Sequence, residues 1–297
     1  MGFDKPYLGV LAGMGAAFGF SFMDTVIKVA MTHYPMPLVI FLQACVVLPI
    51  LLLYSHVQHK PFLRGSHYPR LQMLRALVHA GSGLAGFAAF AHMPLATFYT
   101  IGFLGPLLVA LLAWVVFREP PSTRTRIALG LGFLGMLVIC RPDTLPFNTA
   151  TFYAFIWIVC CAVNILFVRK MPLDHPNIFT AYTYTALFVV IVPLAVPHLH
   201  LFQLQHFYFP LLGGLGAVVA NYLFYTAYQL APVARVAPMQ YTQLVWGALA
   251  GWLLFNTAPT IYLWGGAALI AVAGWLVLSQ PGAPIPSHTQ RRVPKVE

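Results

Sequence analysis

The chain has 297 residues, of which 60% are hydrophobic and only 7% are charged, and its formal net charge is +10. Its mean hydropathy of +0.80 lies far above that of a soluble domain, so the composition excludes a soluble enzyme or nucleic-acid-binding module and indicates a membrane protein. The positive charge suits contact with the anionic inner leaflet of a bilayer, and we expect no nucleic-acid partner.

A membrane-spanning helix needs about 20 mostly apolar residues, and the chain offers ten such stretches in succession. They lie at approximately residues 8–31, 37–55, 72–92, 97–117, 125–140, 150–170, 177–196, 207–229, 234–255 and 261–279. The first stretch carries Asp24 and Lys28 and lacks a convincing cleavage site, so we interpret it as a retained helix rather than a signal peptide. The sequence therefore predicts an all-α membrane protein with ten transmembrane helices.

Lysine and arginine fall mainly in every second connection between spans. If the N-terminus is cytoplasmic, the basic residues of the cytoplasmic segments are Lys5, Lys60, Arg64, Arg70, Arg118, Arg124, Arg126, Arg169, Lys170, Arg291, Arg292 and Lys295. An excess of positive charge on the inner side sets the orientation of membrane proteins. We therefore expect a multi-pass protein of the inner (cytoplasmic) membrane with both termini in the cytoplasm, and a disordered basic tail over 282–297.

Cysteine and histidine residues give little sign of a cofactor. Cys45, Cys140, Cys160 and Cys161 fall within spans or at their ends, where they act as small packing residues rather than as a disulfide framework. The three histidines of HLHLFQLQH (198–206) have no neighbouring cysteine or carboxylate, so the pattern is a weak metal signal. We expect neither a metal nor another cofactor.

The two halves of the chain share a sequence pattern. At an offset of 138 residues, six identical pairs align: Pro94 with Pro232, Ala96 with Ala234, Ala110 with Ala248, Trp114 with Trp252, Phe117 with Phe255 and Pro121 with Pro259. The pattern predicts two five-helix repeats, 1–142 and 143–281. Because five is odd, the second repeat enters the membrane from the opposite side, which makes an inverted repeat. Such a repeat can form two near-equivalent packings, one open to each side, and this favours alternating access.

Several short motifs occur in a fixed order: MDTVIK late in the first span, LQMLRAL at the start of the third, MPLA before the fourth, FRE after it, and GFLGMLVICRP at the close of the first half. In this order they resemble the EamA-type members of the drug/metabolite transporter (DMT) superfamily, well over about 5–142 and more loosely over 150–281. The resemblance implies ten helices in two inverted halves, a central substrate cavity and movement of small metabolites, often by export. The chain departs from the family at Gln43, where many relatives carry Arg, and at the FNT of 255–257, where the first half has FRE.

Asp24 and Lys28 lie one helical turn apart in an otherwise apolar span. On one helix face they can pair, which lowers the cost of holding both charges at depth. We hypothesise that both face the protein interior and bind substrate. We further hypothesise that Asp24 couples a proton, because a carboxylate away from water resists ionisation while the lysine restores its charge. In the alternative interpretation, Lys28 snorkels to the outer surface.

A second group of residues is predicted to act in gating. Arg75 lies about one turn inside the third span, where it faces either the cavity or the inner phosphates. Glu119 follows the fourth span and serves either as a gate residue or as a helix stop. The remaining members can break helices and allow bending: Gly102, Gly105, Pro106 and Pro238.

Polar and aromatic residues recur on the spans of the second half. Residues 221–229 place amide and phenol groups largely on one helix face, and residues 240–246 add more in the ninth span. At membrane depth such groups are satisfied either by neighbouring helices or by a water-filled pocket and its ligand. The predicted substrate-binding residues, besides Asp24 and Lys28, are Tyr99, Asn221, Tyr225, Tyr228, Gln240, Tyr241, Gln243 and Trp246.

Aromatic walls with amide groups suit a planar or amphipathic solute, such as an aromatic amino acid, a nucleoside or a flavin-like compound. Catalytic and phosphate-binding motifs do not occur in the sequence, so we expect no enzyme activity. The sequence therefore favours a secondary active transporter, monomeric or homodimeric, that exports a small polar or aromatic metabolite by alternating access. A lipid flippase or scramblase of similar architecture is the alternative, with a groove open to lipid instead of an enclosed polar pocket.

Overall fold

The computed structural model describes residues 5–58, 62–63, 65–92, 101–118, 120–140, 148–255 and 261–279, and within these ranges the regular secondary structure is helical. The α-helices are α1 (Lys5–Ala30), α2 (Met36–Val57), α3 (Pro69–His92), α4 (Gly105–Phe117), α5 (Thr123–Cys140), α6 (Thr149–Lys170), α7 (Pro176–Ala195), α8 (Tyr208–Leu230), α9 (Val233–Val236), α10 (Thr242–Phe255) and α11 (Ile261–Leu278). Short 3₁₀ segments run over Val196–Leu201, Leu204–His206 and Ala237–Tyr241. The basic tail, 282–297, lies outside the described residues.

Prolines and capping side chains mark where several helices begin. Pro37 and Pro176 lie in the first turns of α2 and α7, where a missing N–H removes no intrahelical hydrogen bond. At the start of α6, the side chain of Asn148 accepts a hydrogen bond from the backbone N–H of Thr151 at 3.0 Å. One otherwise unpaired donor of the first turn is thereby satisfied.

Two of the predicted spans are interrupted. In the fourth, residues 101–102 are helical, a turn follows at 103–104, and α4 begins only at Gly105. In the ninth, α9 lasts four residues and leads into the 3₁₀ segment Ala237–Tyr241 before α10 begins. Pro238 has no backbone N–H to donate to the preceding turn, which accounts for the change of helix type at that point.

Six helical stretches in the described part of the chain are long and apolar enough to cross a membrane. They are Tyr7–Ala30, Met36–Val57, Thr149–Lys170, Pro176–Leu201, Leu204–Leu230 and Ile261–Leu278. The interruptions leave α4 and α10 with only 13 and 14 residues, and α3 carries Arg70, Gln72 and Arg75 in its first two turns. The total of ten transmembrane helices therefore stays a prediction.

The helices of the first half pack mainly against those of the second. α1 lies against α8 and α10, α6 lies against α3 and α4, α2 packs on α7, and α5 packs on α11. Suppose that α1 to α5 correspond in order to α6, α7, α8, α10 and α11. The α2–α7 and α5–α11 contacts then correspond to themselves, and the contacts of α1 with α8 and α10 correspond to those of α6 with α3 and α4. A two-fold relation between the halves would produce this pattern.

Small residues bring the paired helices into close contact. A Cβ on Gly135 of α5 would come within 2.8 Å of the carbonyl oxygen of Gly266 on α11, and a Cβ on Gly266 would come within 2.6 Å of the carbonyl oxygen of Gly135. In the same way, a Cβ on Gly19 of α1 would lie 2.9 Å from the Cβ of Ala220 on α8. Both helix pairs therefore depend on the lack of a side chain, as is common where membrane helices pack.

We expect Gly135→Ala to destabilise the protein by about 1–3 kcal/mol, because the added methyl group would collide with backbone that cannot rotate away. Gly130→Ala on the same helix is the matched control, since a Cβ at that position meets no described atom within 4 Å. Thermal unfolding of the purified variants in detergent measures the difference. Equal melting temperatures for the two variants would contradict the close approach of α5 and α11.

Candidate functional site

Arg75 of α3 is fully buried, with a fractional exposure of 0%. Its Nε donates to Gln72 Oε1 and its Nη1 to Asn164 Oδ1, both at 2.9 Å. Its Nη2 donates to the backbone oxygen of Phe179 at 2.7 Å and to Thr183 Oγ1 at 3.1 Å. These partners belong to α3, α6 and α7, so one guanidinium joins three helices.

Two aromatic rings cover the same guanidinium. Its Cζ lies 5.2 Å from the ring centroid of Phe179 and 5.5 Å from that of Tyr225, distances at which a cation is attracted to a ring face. The hydroxyl of Tyr225 also accepts a hydrogen bond from Nη1 at 3.4 Å and lies 3.3 Å from Thr183 Oγ1. Burying a cation is costly unless it is paired, and here polar and aromatic groups take the place of water.

Asp174, in the short connection between α6 and α7, joins this network from the end of the bundle. Its carboxylate accepts hydrogen bonds from Ser66 Oγ at 2.6 Å, from the backbone N–H of His67 at 2.7 Å and from Gln72 Nε2 at 2.8 Å. The Nδ1 atom of His67 lies 3.4 Å from the same carboxylate. Gln72 therefore bridges Asp174 to Arg75 and connects a buried cation to a buried carboxylate through one amide.

From the sequence we expect Arg75 to face either the cavity or the inner phosphates. In the structure each nitrogen of its guanidinium donates to a protein group, and its gating role stays a prediction. The sequence reasoning missed its partner Asn164, and Asp174, which Gln72 connects to it. The spacing of three residues in LQMLR could have indicated the Gln72–Arg75 contact, whereas the other partners lie far away in the sequence and give no local signal.

Asp24 makes a second polar contact between the halves of the chain. Its Oδ2 accepts a hydrogen bond from Gln243 Nε2 at 2.9 Å, which joins α1 to the first turn of α10. In the same region Phe18 and Trp246 meet edge to face, with ring centroids 5.2 Å apart. We call these four residues the α1–α10 contact. Asp24 is half-buried and Trp246 is 37% exposed, so the contact is open on one side.

Three of the predicted tyrosines are buried. Tyr225 belongs to the network described above, and Tyr228 accepts a hydrogen bond from Gln240 Nε2. The ring of Tyr241 stacks on that of Phe103 at a centroid distance of 6.5 Å, and its buried hydroxyl has no hydrogen-bond partner among the described residues. An unpaired buried hydroxyl costs about 1–3 kcal/mol, which a polar group of a ligand could recover.

Other predicted binding residues are not gathered with these. Asn221 donates its side-chain amide to the backbone oxygen of Ala217, one turn earlier in α8, at 2.9 Å. Lys28 is exposed in the last turn of α1. Tyr99 and Glu119 lie outside the described residues. The binding and gating roles of Asn221, Lys28, Tyr99 and Glu119 therefore stay predictions.

The predicted helix-breaking residues lie at the interrupted spans. A Cβ on Gly102 would come within 2.9 Å of the ring of Trp157, and a Cβ on Gly105 would lie 2.9 Å from the side chain of Ile158. Pro106 is in the first turn of α4, and Pro238 is buried in the 3₁₀ segment. The two glycines thus allow close packing against α6, and the gating role of all four residues stays a prediction.

One end of the bundle carries Arg70, Arg169 and Lys170, and we call it the basic end. At this end His67, before α3, contacts Asp174, before α7. The segment between α2 and α3 is thereby tied to the connection between α6 and α7.

The opposite end, which we call the histidine end, has a contact in an equivalent place. The ring of His206 lies 4.5 Å from that of His33, and its Nδ1 lies 3.0 Å from the hydroxyl of Tyr34. At offsets of 139 and 141, within the range over which the two halves align, His206 corresponds to His67 and His33 corresponds to Asp174. In the described part of the chain, no group of three or more His, Cys, Asp or Glu residues is placed to hold a metal ion.

Comparison with known proteins relates the chain to a family of transporters. Residues 7–141 and again residues 148–279 match the EamA-like transporter family. A riboflavin transporter from Rhizobium johnstonii is 28% identical over 227 residues, which cover 72% of this chain and 71% of that one. An S-adenosylmethionine uptake transporter from Rickettsia prowazekii is 24% identical over 240 residues, 80% of each chain. A crystal structure with 16% identity shares the fold, with a TM-score of 0.78 over 90% of this chain and 95% of the other.

We expect Arg75→Leu to lower stability by about 3–5 kcal/mol, because it leaves the buried oxygens of Gln72 and Asn164 without their donor. Arg75→Lys should recover only part of the loss, since one ammonium group cannot reproduce the fork of donors. Arg70→Leu, an exposed position in the same helix, is the matched control and should change stability by less than about 0.5 kcal/mol. Thermal unfolding in detergent measures all three, and equal losses at positions 70 and 75 would refute the role of the network.

Proposed function

Because the chain belongs to the EamA-like transporter family, we propose that it carries a small planar metabolite with polar edges across the cytoplasmic membrane by alternating access. The family and the long apolar helices make it a multi-pass membrane transporter. The observation that carries the proposal is the hydrogen bond from Gln243 to Asp24. It links the two stretches that match the family, beside the exposed ring of Trp246.

The substrate class is inferred from side-chain chemistry and from the relatives. The two relatives are named for riboflavin and for S-adenosylmethionine, and both compounds contain a flat nitrogen heterocycle with polar edges. In the α1–α10 contact of this chain, Phe18 and Trp246 offer flat surfaces and Gln243 offers an amide. We therefore favour a flavin-, nucleoside- or aromatic amino-acid-like substrate, and a cationic group on it would pair with Asp24.

Alternating access is supported by the way the halves pack. The contacts of α1 with α8 and α10 have counterparts in those of α6 with α3 and α4, as expected for repeats inserted in opposite senses. We propose repeats 1–142 and 143–281, ten spans in total, and a cytoplasmic position for the basic end and both termini. Two such repeats can exchange their packings, which opens one end of the bundle while the other closes.

The direction of net transport would follow the gradients. From the sequence we expect export, whereas the Rickettsia relative is named for uptake. A carrier that exposes one site to alternate sides moves its substrate down the combined gradient of the substrate and any coupled ion. The same protein can therefore run in either direction, and transport has to be measured both ways.

Purified protein in liposomes tests the proposed function. Labelled riboflavin, S-adenosylmethionine, adenosine and tryptophan are presented from either side, with and without a pH gradient. We expect saturable transport of at least one of these compounds and competition from the others that share its ring system. If none is transported and labelled phospholipids cross the same liposomes, the protein is a lipid scramblase instead.

We propose that Asp24 couples a proton or holds a cationic group of the substrate. Asp24→Asn keeps an oxygen that can accept from Gln243 but removes the charge, so we expect transport to fall by about tenfold or more and to lose its dependence on external pH. Asp24→Glu restores the charge and should recover part of the transport rate and part of its pH dependence. Lys28→Ala tests the second charge of the pair. Unchanged transport rates and pH profiles in Asp24→Asn and Lys28→Ala would contradict the proposal and favour the alternative interpretation, in which Lys28 only snorkels to the outer surface.

The contacts that close the two ends should respond to protons in opposite ways. Protonation of His67 strengthens its attraction to Asp174, 3.4 Å away. At the histidine end, positive charges on His206 and His33 would repel each other, because the centroids of the two rings lie 4.5 Å apart. We therefore propose that acidification favours opening at the histidine end.

The other described titratable groups near the histidine end do not reverse this sign. Lys28 ends α1, His198 and His200 lie in the Val196–Leu201 segment, and Tyr208 begins α8. A positive charge on the lysine, or on either histidine when it is protonated, adds to the repulsion at this end.

We expect spin labels at Thr32 and Gln205, both exposed at the histidine end, to move apart by several ångströms when the pH falls from about 8 to 5.5. The measurement is a pulsed electron–electron distance distribution in a background without the four native cysteines. His206→Phe keeps an aromatic ring but cannot titrate, so it should remove most of the shift. His200→Phe, exposed in the same connection and outside the contact between His33 and His206, is the control and should remove only a smaller part of the shift. A shift that persists in His206→Phe would contradict the assignment.

A further inference from the structure

A pocket of about 480 Å³ lies at the basic end, away from the α1–α10 contact. Its walls come from the end of α2, from residues 62, 65 and 67, from the connection between α6 and α7, from the start of α7 and from the end of α8. The side chain of His67, 60% exposed, is part of the wall, so the pocket opens to the surface. Its volume lies in the range of pockets that hold small metabolites.

Several polar side chains of this pocket have hydrogen-bonding capacity that the protein does not use. The hydroxyls of Tyr54 and Ser55 and the side-chain amide of Asn177 have no hydrogen-bond partner among the described residues. Gln229 donates from Nε2 to the backbone oxygen of Asp174 at 2.7 Å, while its Oε1 accepts from no described residue. Unused donors and acceptors around one pocket suit a ligand with several polar edges.

The remaining chemistry of the pocket favours an uncharged, flat ligand. The ring of Tyr54 stacks on that of His175, with centroids 6.0 Å apart and 27° between the planes, and Phe62 adds a third ring to the wall. The described lining residues include no lysine or arginine, so they offer an anionic group no cationic partner. The carboxylate of Asp174 already accepts from three donors, so a cation is not favoured either.

We propose that this pocket is a second substrate-binding site, which holds a flavin- or nucleoside-like compound before it enters the transporter interior or after it leaves. The inference rests on the proposed function, since a site at the entrance can bind such a compound before or after the carrier moves it. His67 and Asp174 form part of the pocket wall and also close this end of the bundle. The site is therefore accessible while the end is closed, and its occupant lies directly outside the closing contact.

Riboflavin, whose own fluorescence reports binding, is the probe. Ser55→Trp places a large ring in the pocket, and Asn177→Ala removes an amide on which no described residue depends. Val57→Trp is the matched control, because it adds the same ring two residues further along α2 at a position that is 63% exposed and outside the pocket. Membrane vesicles of both orientations present riboflavin to one end of the protein at a time.

We expect Ser55→Trp and Asn177→Ala to raise the KM for riboflavin about five- to tenfold at the basic end and to change it by less than about twofold at the histidine end. Val57→Trp should have the same KM for riboflavin as the unchanged protein at both ends. A structural defect would instead raise KM from both sides, and that result would overturn the inference.

Two further outcomes separate this inference from the proposed function. If the unchanged protein transports riboflavin and the two pocket variants have its KM at the basic end, the second site is refuted while the transport function stands. If the unchanged protein neither binds nor transports riboflavin, the flavin assignment fails and the second site for flavins fails with it.

Discussion

A guanidinium buried among helices is stable only where fixed protein groups replace its water, and at the basic end the arrangement of the helices follows from this requirement. Arg75 takes its partners from α3, α6 and α7 and is covered by a ring from α8. Gln72 also donates a hydrogen bond to Asp174. The carboxylate of Asp174 accepts further hydrogen bonds from Ser66 and His67 in the segment before α3. A surface connection is thus tied to the centre of four helices by a short chain of hydrogen bonds.

Contacts of two kinds hold the bundle together, and they differ in how easily they can change. The α5–α11 and α1–α8 pairs meet through glycine and alanine with almost no space between backbones, so each pair is suited to move as a unit. The end contacts instead consist of a few polar or aromatic side chains that can separate and exchange with water. Between these regions, α4 packs against α9 and the 3₁₀ segment Ala237–Tyr241. The two interrupted spans therefore lie against each other, where bending requires little loss of regular structure.

The sequence predicts the helical segments well because apolar length and proline position are local properties. The interruptions at Gly105 and Pro238 follow from residues that limit backbone hydrogen bonding. Side-chain partners are harder to predict. The spacing of Tyr225 and Tyr228 correctly indicates two residues close together on α8, but spacing cannot tell a ring that packs against Arg75 from one that lines a cavity. Asp174 gives no signal in the sequence, because its role depends on donors that only the folded chain brings to it.

The helix contacts of the two halves correspond to each other, whereas their polar side chains differ, and this difference bears on the proposed coupling to a proton. A carrier with identical halves would respond to a proton in the same way at both ends, so proton binding could not favour one opening over the other. In this chain the position equivalent to Asp24 is Ile165, which is buried in an apolar cluster. The contacts at the two ends also differ. His67 faces the carboxylate of Asp174 at the basic end, whereas His206 faces a second histidine, His33, at the histidine end. Under the proposed alternating access, two matching halves would provide two states of similar energy, and a few unmatched side chains would decide which of them a proton stabilises.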